Sequence, residues 1–160
     1  MKTEPFDFIV RRARRDDLEA MVDLGASFFG ESNRLGGATM SRKNYRASLE
    51  PYFDHPLVAA FLAERDGQLI GNVYIYAQND ATEEYIGDLY QFYVLPEYRG
   101  TGVSRALADL ADKQYADWKC KSGYLEAAHG MKGERHLKLF ENLWGRLGFK
   151  KIGIVMMKEY

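Results

Sequence analysis

A chain of 160 residues is long enough for one domain with a sizeable hydrophobic core and too short for two comfortable ones. Apolar residues make up 46% and charged residues 28%, which is typical of a globular protein, and a formal net charge of −1 excludes broad electrostatic attraction to nucleic acid or to an anionic membrane. The single cysteine, Cys120, excludes an internal disulfide and a thiolate-rich metal site, and no stretch has the length of a signal peptide or a membrane span, so we expect a cytoplasmic protein without a metal.

Hydrophobic periodicity predicts strands and helices along the whole chain. The predicted elements are a strand at Phe6–Val10, a helix from Asp16 to Phe28, a loop over Gly30–Thr39, a helix from Ser41 to Tyr52, strands at Val58–Ala63, Leu69–Ala77 and Ile86–Leu95, a helix from Val103 to Trp118, a strand at Tyr124–Ala128, a helix from Leu137 to Leu147 and a strand at Lys151–Met157. Asp66-Gly67 is a hairpin signal between the second and third strands. Hairpins in the first half and crossovers in the second predict an α/β (α+β) fold, with a mixed sheet and helices on its faces.

The stretch from Val94 to Leu107 reads VLPEYRGTGVSRAL and carries the chemistry. Pro96 ends a strand, and a strong helix begins at Gly102 or just after it. A helix start leaves backbone N–H groups without intrahelical partners, and the helix dipole adds positive potential there, so a phosphate or pyrophosphate is the natural guest. Gly100 and Gly102 let a ligand approach the backbone because no Cβ intervenes. A glycine-containing turn of this kind can also be purely structural.

A match to a longer sequence pattern favours a ligand site at this turn over a purely structural turn. Arg99, Gly102 and Ser104 occupy the anchor positions of the pattern Arg or Gln, two residues, Gly, one residue, Gly or Ala, and the chain thereby resembles motif A of the GNAT superfamily of N-acetyltransferases. Ser104 departs from Gly or Ala but is small and can donate a hydrogen bond. The ending Leu143–Phe149 is similar to the family's phrase before its last strand. A Rossmann unit and a P-loop are disfavoured, because no third glycine follows Gly102 and no Gly-Lys-Ser/Thr occurs.

The resemblance implies a single GNAT acetyltransferase domain over residues 1–160, with a largely antiparallel sheet, one splayed parallel strand pair and helices on both faces. It implies acetyl-CoA as co-substrate, held between the strands Leu89–Leu95 and Gly123–Ala128, with the pyrophosphate on the N–H groups of the turn. The coenzyme-binding residues expected on this basis are Phe92, Tyr93, Val94, Arg99, Gly100, Thr101, Gly102, Val103, Ser104, Arg105 and Trp144.

The resemblance also implies that an amine attacks the thioester directly, without a covalent enzyme intermediate. Carboxylates and tyrosines usually move the protons in this family. Three positions are candidate bases: Glu126, which lies midway along a strand lining the splay, then Asp88, early on the motif-A strand, then His129, at the mouth of the splay. Water-relayed deprotonation without a dedicated base stays open as a fourth option.

The general acid is less clear, since the family often places a Tyr in the last helix where this chain has Trp144. An indole cannot usefully donate a proton near neutral pH, so Trp144 is expected to pack or to line the coenzyme path. With that Tyr absent, a non-catalytic module that binds or senses acyl-CoA remains the alternative function.

On the acceptor side, Glu31 is a candidate for holding a substrate ammonium, and Tyr90 is a second candidate substrate contact. Phe29-Gly30-Glu31-Ser32 is similar to a phrase in GNAT proteins encoded by bacteriophages and prophages, but it identifies no substrate. The expected partners are therefore acetyl-CoA and an unidentified amine, with no nucleic acid and no membrane; a homodimer is compatible with the resemblance.

Overall fold

The computed structural model describes residues 6–31, 39–79, 83–125 and 134–152, of which 134–136 are described by their backbone only. Their elements in chain order are β1 Ile9–Arg12, α1 Leu18–Glu31, α2 Arg42–Leu49, α3 Pro51–Asp54, β2 Val58–Arg65, β3 Gln68–Gln78, β4 Ile86–Val94, α4 Val103–Asp117, β5 Ser122–Tyr124 and α5 Glu134–Gly145. Short 3₁₀ turns precede α1 at Arg15–Asp17 and follow β4 at Pro96–Tyr98.

The five strands form one sheet in the order β1-β2-β3-β4-β5. The first three pairings are antiparallel, and β4 pairs with β5 in parallel. At the β2–β3 hairpin, Asp66 and Gly67 both have positive φ, at 50° and 78°, as the predicted turn requires. The mixed, largely antiparallel sheet that the sequence predicts is confirmed.

Helices cover both faces of the sheet because its strands alternate their side chains. Tyr74 on β3 belongs to a buried cluster with Met21 of α1 and Leu49 of α2, whereas the next residue, Ile75, belongs to a second cluster with Leu107 of α4. The α1–α3 face and the α4–α5 face are thus two separate apolar layers. Among the described residues, no helix combines the length and the apolar character needed to cross a membrane.

Some element boundaries differ from the predicted ones. The first strand is Ile9–Arg12 rather than Phe6–Val10, since only these residues pair with β2. The predicted second helix divides after Leu49, because Pro51 has no N–H to continue the helical ladder and instead begins α3. Of the strands predicted at Tyr124–Ala128 and Lys151–Met157, residues 126–128 and 153–157 lie outside the described residues, as do 32–38 of the predicted loop.

Candidate active site

Strands β4 and β5 are paired at their beginnings. Their register runs from Ile86 opposite Ser122 to Asp88 opposite Tyr124, and no further pair follows among the described residues. The strand β4 nevertheless continues to Val94, paired with β3 on its other side. Along this segment the edge of β4 that faces away from β3 has backbone donors and acceptors without a described strand partner. The described pairing of β4 with β5 thus extends to Asp88, and we call this point the apex.

A bulge in β4 begins directly beyond the apex. On β3, Ile75 is opposite Leu89 and Tyr74 is opposite Gln91, so Tyr90 is the extra residue of the bulge. A bulge bends its strand and increases the local twist, which turns β4 away from a neighbour that has no matching bulge. Tyr90, a predicted substrate contact, thus lies at the bulge, two residues beyond the apex.

Aromatic rings pack closely against the paired end of the two strands. A Cβ at Gly87 would lie 2.4 Å from Tyr115 Cδ1, and a Cβ at Gly123 would lie 3.1 Å from Phe149 Cε1. The Tyr115 hydroxyl also donates to the backbone carbonyl of Asp88 at 2.8 Å. Burial, and then the charge of Asp88, raises the pKa of Tyr115 well above its ordinary value. Glycines at these two strand positions therefore allow α4 and the chain after α5 to pack directly on the apex.

The turn after β4 has the shape of an anion site. Gly100 and Gly102 have φ of +80° and +98°, and a Cβ added at either would meet no atom within 4 Å. Gly102 is the N-cap of the 15-residue helix α4 and makes no side-chain cap hydrogen bond. The first backbone N–H of the helix to bond back is that of Ala106, to the Gly102 carbonyl at 3.1 Å. The N–H groups of Val103, Ser104 and Arg105 thus precede the helical ladder, beside open space.

Within this turn, Thr101 and Arg99 make contacts that fix its shape. The Thr101 hydroxyl donates to the Tyr98 carbonyl at 2.6 Å, and Arg99 Nε donates to the Val94 carbonyl at 3.0 Å. The two terminal nitrogens of Arg99 donate to the two carboxylate oxygens of Glu31, at 2.7 and 2.6 Å. Arg99 therefore ties the turn both to the end of β4 and to the end of α1.

Tyr93 completes this ion pair, since its hydroxyl donates to Glu31 Oε2 at 3.0 Å. Burial and then the contact with Glu31 raise the pKa of Tyr93 to about 12, and the Glu31 hydrogen bond is the largest cause of the raised pKa of Arg99. Glu31, predicted to hold a substrate ammonium, and Arg99, predicted to contact the coenzyme, are thus brought together and neutralise each other. Their predicted ligand contacts stay predictions.

Of the three candidate bases, Asp88 lies in the described structure, at the apex. Its Oδ2 accepts from the Tyr76 hydroxyl at 3.0 Å, and its Oδ1 accepts from the Leu89 N–H at 2.8 Å. Glu126 and His129 lie outside the described residues. Asp88 points to the α1–α3 face of the sheet, since Tyr76 lies two residues from Tyr74 on β3 and shares its side.

A cavity of about 450 Å³ opens on that same face. The described residues that line it are Ser48, Pro51, Tyr52, His55, Val58, Tyr76, Ala77 and Tyr90. Tyr90 is the bulge residue of β4, and Tyr76 donates to Asp88, so two walls of the cavity adjoin the apex. Sequence reasoning missed Tyr52 and Tyr76. The alternation of Tyr74 and Tyr76 on β3 was a signal that both face the same side.

On the opposite face, Trp144 of α5 packs against Phe92 of β4 and against Phe149. It is 1% exposed, and its ring centroid is 5.6 Å from that of Phe92 on β4 and 5.5 Å from that of Phe149, which contacts Gly123 of β5. The indole N–H has no hydrogen-bond partner in the described structure. A buried donor without an acceptor costs about 1–3 kcal/mol, so an acceptor at this point would stabilise the protein.

Comparison with known proteins identifies the family. The profile described as "Acetyltransferase (GNAT) family" matches residues 19–145, which include β4, the turn and α4. The chain belongs to this family. The predicted membership of the GNAT superfamily is confirmed. The similarity of Phe29-Gly30-Glu31-Ser32 to phage-encoded members stays a prediction.

Curated GNAT relatives match part of the chain. A mycothiol acetyltransferase from Thermobispora bispora is 39% identical over 93 residues, which are 57% of this chain and 30% of that protein. One from Cellulomonas flavigena is 35% identical over 100 residues, 59% of this chain and 28% of that protein. The chain therefore spans less than a third of the length of these relatives, and their substrate is not transferred to it.

Solved structures match nearly the whole fold. AAC(6')-Iy in complex with the bisubstrate analogue CoA-S-monomethyl-acetylneamine superimposes with a TM-score of 0.74 at 17% identity, covering 96% of this chain and 98% of that chain. The ribosomal-protein-alanine N-acetyltransferase from Brucella melitensis biovar Abortus 2308 gives a TM-score of 0.70 at 18% identity, covering 96% and 99%. At such identities the likeness shows the GNAT fold alone.

The described geometry fits the co-substrate that the GNAT family uses, acetyl-CoA. An open turn at a helix start suits a diphosphate, and the edge of β4 suits the amide groups of pantetheine, which pair as an additional strand does. The Trp144 N–H adds a buried donor near that edge. Each of these three features suits one part of an extended ligand of this kind.

Proposed function

We propose that this protein transfers an acetyl group from acetyl-CoA directly to a primary amine, with both substrates bound at once and no covalent enzyme intermediate. The observation that carries the proposal is the apex at Asp88, where the unpaired edge of β4 and the cavity on the α1–α3 face come together. One substrate reaches the apex along the strand and the other through the cavity. Such an arrangement favours a ternary complex, because orientation of two bound reactants replaces a chemical relay.

The turn and the strand hold the coenzyme in this proposal. The N–H groups from Val103 to Arg105 bind the diphosphate, with Gly100 and Gly102 allowing the close approach and Thr101 fixing the turn. The backbone of Phe92–Val94 pairs with pantetheine, and Trp144 donates its indole N–H to an acceptor there. Acetyl-CoA supplies the acetyl thioester that the amine attacks. A β4 backbone N–H near Phe92 stabilises the negative charge that develops on the thioester oxygen.

Asp88 accepts the proton of the incoming ammonium. Its hydrogen bond from Tyr76 offers a relay: the Tyr76 oxygen takes a proton from the amine while the Tyr76 hydroxyl proton passes to Asp88. Leu89 N–H, which donates to the other carboxylate oxygen, keeps the carboxylate oriented. The apex is thus the point at which the amine loses its proton and meets the acyl group.

Because Trp144 stands at the usual Tyr position, no residue there can protonate the thiolate of coenzyme A as it leaves. A thiol has a pKa near 8.5, so a thiolate is an acceptable leaving group close to neutral pH and does not require a proton donor in the same step. The same substitution favours the second candidate function, a module that binds acyl-CoA without turning it over.

Initial-rate kinetics separate these functions. With a panel of primary amines and acetyl-CoA both varied, intersecting double-reciprocal lines support direct transfer. Parallel lines, together with acetylated protein after incubation with acetyl-CoA alone, contradict it. Tight binding of acetyl-CoA by calorimetry without release of free thiol for any amine favours the binding module.

A further inference from the structure

The cavity beside the apex has a chemical character of its own. Its described walls are three tyrosine rings, from Tyr52, Tyr76 and Tyr90, and three apolar side chains, with Ser48 and His55 as the polar members. The Tyr52 and Tyr90 ring centroids are 6.5 Å apart. None of the described lining residues is Asp, Glu, Lys or Arg. A neutral, flat and apolar group is the natural occupant of such walls.

The carboxylates nearest in sequence to this lining are already engaged in ion pairs. Glu50 and Asp54 flank Pro51–Phe53, and both pair with the guanidinium of Arg15, Glu50 at 2.7 Å. Arg15 also lies over the Phe53 ring, 5.2 Å from its centroid. An acceptor with several ammonium groups needs several carboxylates near its binding site, and here it would have to compete with Arg15, the one cation that these two carboxylates share.

One further carboxylate, that of Asp88, lies at the apex end of the cavity, where an entering amine would approach it. Asp88 is linked to the cavity wall through the Tyr76 hydroxyl, and its described partners are a hydroxyl and a backbone N–H rather than a cation. A single carboxylate matches a single ammonium group. The described residues thus give the cavity an uncharged lining and one carboxylate at its apex end.

We propose that the acceptor is a monoamine with a flat, apolar body, one or two rings in size, whose body occupies the tyrosine-walled cavity and whose amine points to the Tyr76–Asp88 pair. This proposal rests on the proposed function and deepens it by naming the substrate class. A cavity of about 450 Å³ lies within the range of small-ligand sites and holds a body of this size.

Binding to the protein loaded with coenzyme A tests the proposal without requiring turnover. Calorimetry should show that 2-phenylethylamine and tryptamine bind at least about tenfold more tightly than spermidine or neamine, because only the first two present an apolar body to the tyrosines. Tyr90→Ala, which removes one wall from a half-buried position, should weaken 2-phenylethylamine and leave spermidine unchanged. Equal or tighter binding of spermidine, or an unchanged 2-phenylethylamine affinity in Tyr90→Ala, overturns the proposal.

A charge placed at the rim provides a matched pair of variants. Ser48 lines the cavity on the exposed side of α2, and Ala47 is the neighbouring exposed residue that does not line it. Ser48→Glu should raise the affinity for spermidine severalfold, since it adds a second carboxylate at the cavity, whereas Ala47→Glu should not. An equal effect of the two variants contradicts the assignment of the cavity as the acceptor site.

The two proposals fail in different ways. If 2-phenylethylamine binds in the cavity but no amine is acetylated, the transferase function is wrong and the occupant of the cavity is right. If polyamines are acetylated at least as efficiently as arylalkylamines, the transferase function is right and the substrate class is wrong.

Discussion

Gly102→Ala is the sharpest test of the anion site, because its two effects can be calculated separately. Gly102 has φ +98°, and an added Cβ would meet no protein atom. The variant should therefore fold, with a loss of about 1–2 kcal/mol from the left-handed backbone alone. For a chain of this size that loss lowers Tm by roughly 2–8 °C. The same methyl group projects into the open space beside the helix start, where the diphosphate is proposed to bind.

The matched control is Gly67→Ala in the β2–β3 turn. Gly67 has φ +78° and equally open surroundings, so the backbone strain is similar, but it lies outside the candidate site. With acetyl-CoA at a hundredfold excess over its Kd, the stabilisation of the native state is about 2.7 kcal/mol. A tenfold loss of affinity in Gly102→Ala reduces this to about 1.4 kcal/mol and roughly halves the rise in Tm that the coenzyme produces.

Differential scanning calorimetry with and without acetyl-CoA measures both effects in each variant. We expect similar Tm losses without ligand and a smaller coenzyme response only in Gly102→Ala. If acetyl-CoA raises Tm equally in both variants, the turn is a structural connection and the reasoning that placed the diphosphate there is refuted.

Three further outcomes follow from the structure. Asp88→Asn should lower kcat by about 10²–10⁴ with unchanged acetyl-CoA affinity and should remove the acid limb of the pH–rate profile; near-normal rates with a good acceptor would show that water carries the proton instead. Trp144→Phe should keep kcat within about tenfold but weaken acetyl-CoA up to about tenfold in calorimetry, since one hydrogen bond is lost; a hundredfold fall in kcat at normal affinity would give the indole a role in the chemistry. A hydrogen bond from Arg11 lowers the pKa of Asp17, so this carboxylate stabilises the fold above its ordinary pKa near 3.9 and ceases to do so as the pH falls through the lowered value. Asp17→Asn should accordingly reduce Tm at pH 7 and reduce it progressively less as the pH falls below about 3.9, and a loss that stays constant down to the lowest pH at which the protein folds would contradict this.

The features that the sequence predicts well are local. The Asp66-Gly67 hairpin and the Gly100–Gly102 turn follow from residues that tolerate positive φ, and no distant contact is needed to form them. The family resemblance rests chiefly on the segment Val94–Leu107, which contains this glycine turn. It also supplied the expectation of a largely antiparallel sheet with one parallel strand pair.

The cavity on the α1–α3 face, by contrast, depends on register. Tyr76 and Asp88 are on neighbouring strands, and their side chains meet only because β3 and β4 are aligned as they are. The bulge at Tyr90 changes which side chains of β4 face α1–α3, and one inserted residue shifts the alternation for the rest of the strand. No periodicity along β4 alone indicates the position of that bulge. The walls of the cavity could therefore not be assembled from the sequence.

Arg99 and Glu31 show a different limit of sequence reasoning. Each stands beside glycines and suggested a ligand of opposite charge, but the two are 68 positions apart and pair with each other. Because their charges cancel, the positive potential at the turn comes chiefly from the uncapped start of α4 and from its dipole. The pair also joins the last residue of α1, at the edge of the α1–α3 face, to the turn that is proposed to hold the diphosphate. The proposed acceptor site and the proposed coenzyme site thus share one ion pair, so displacement of Glu31 or of Arg99 alters the structure of both.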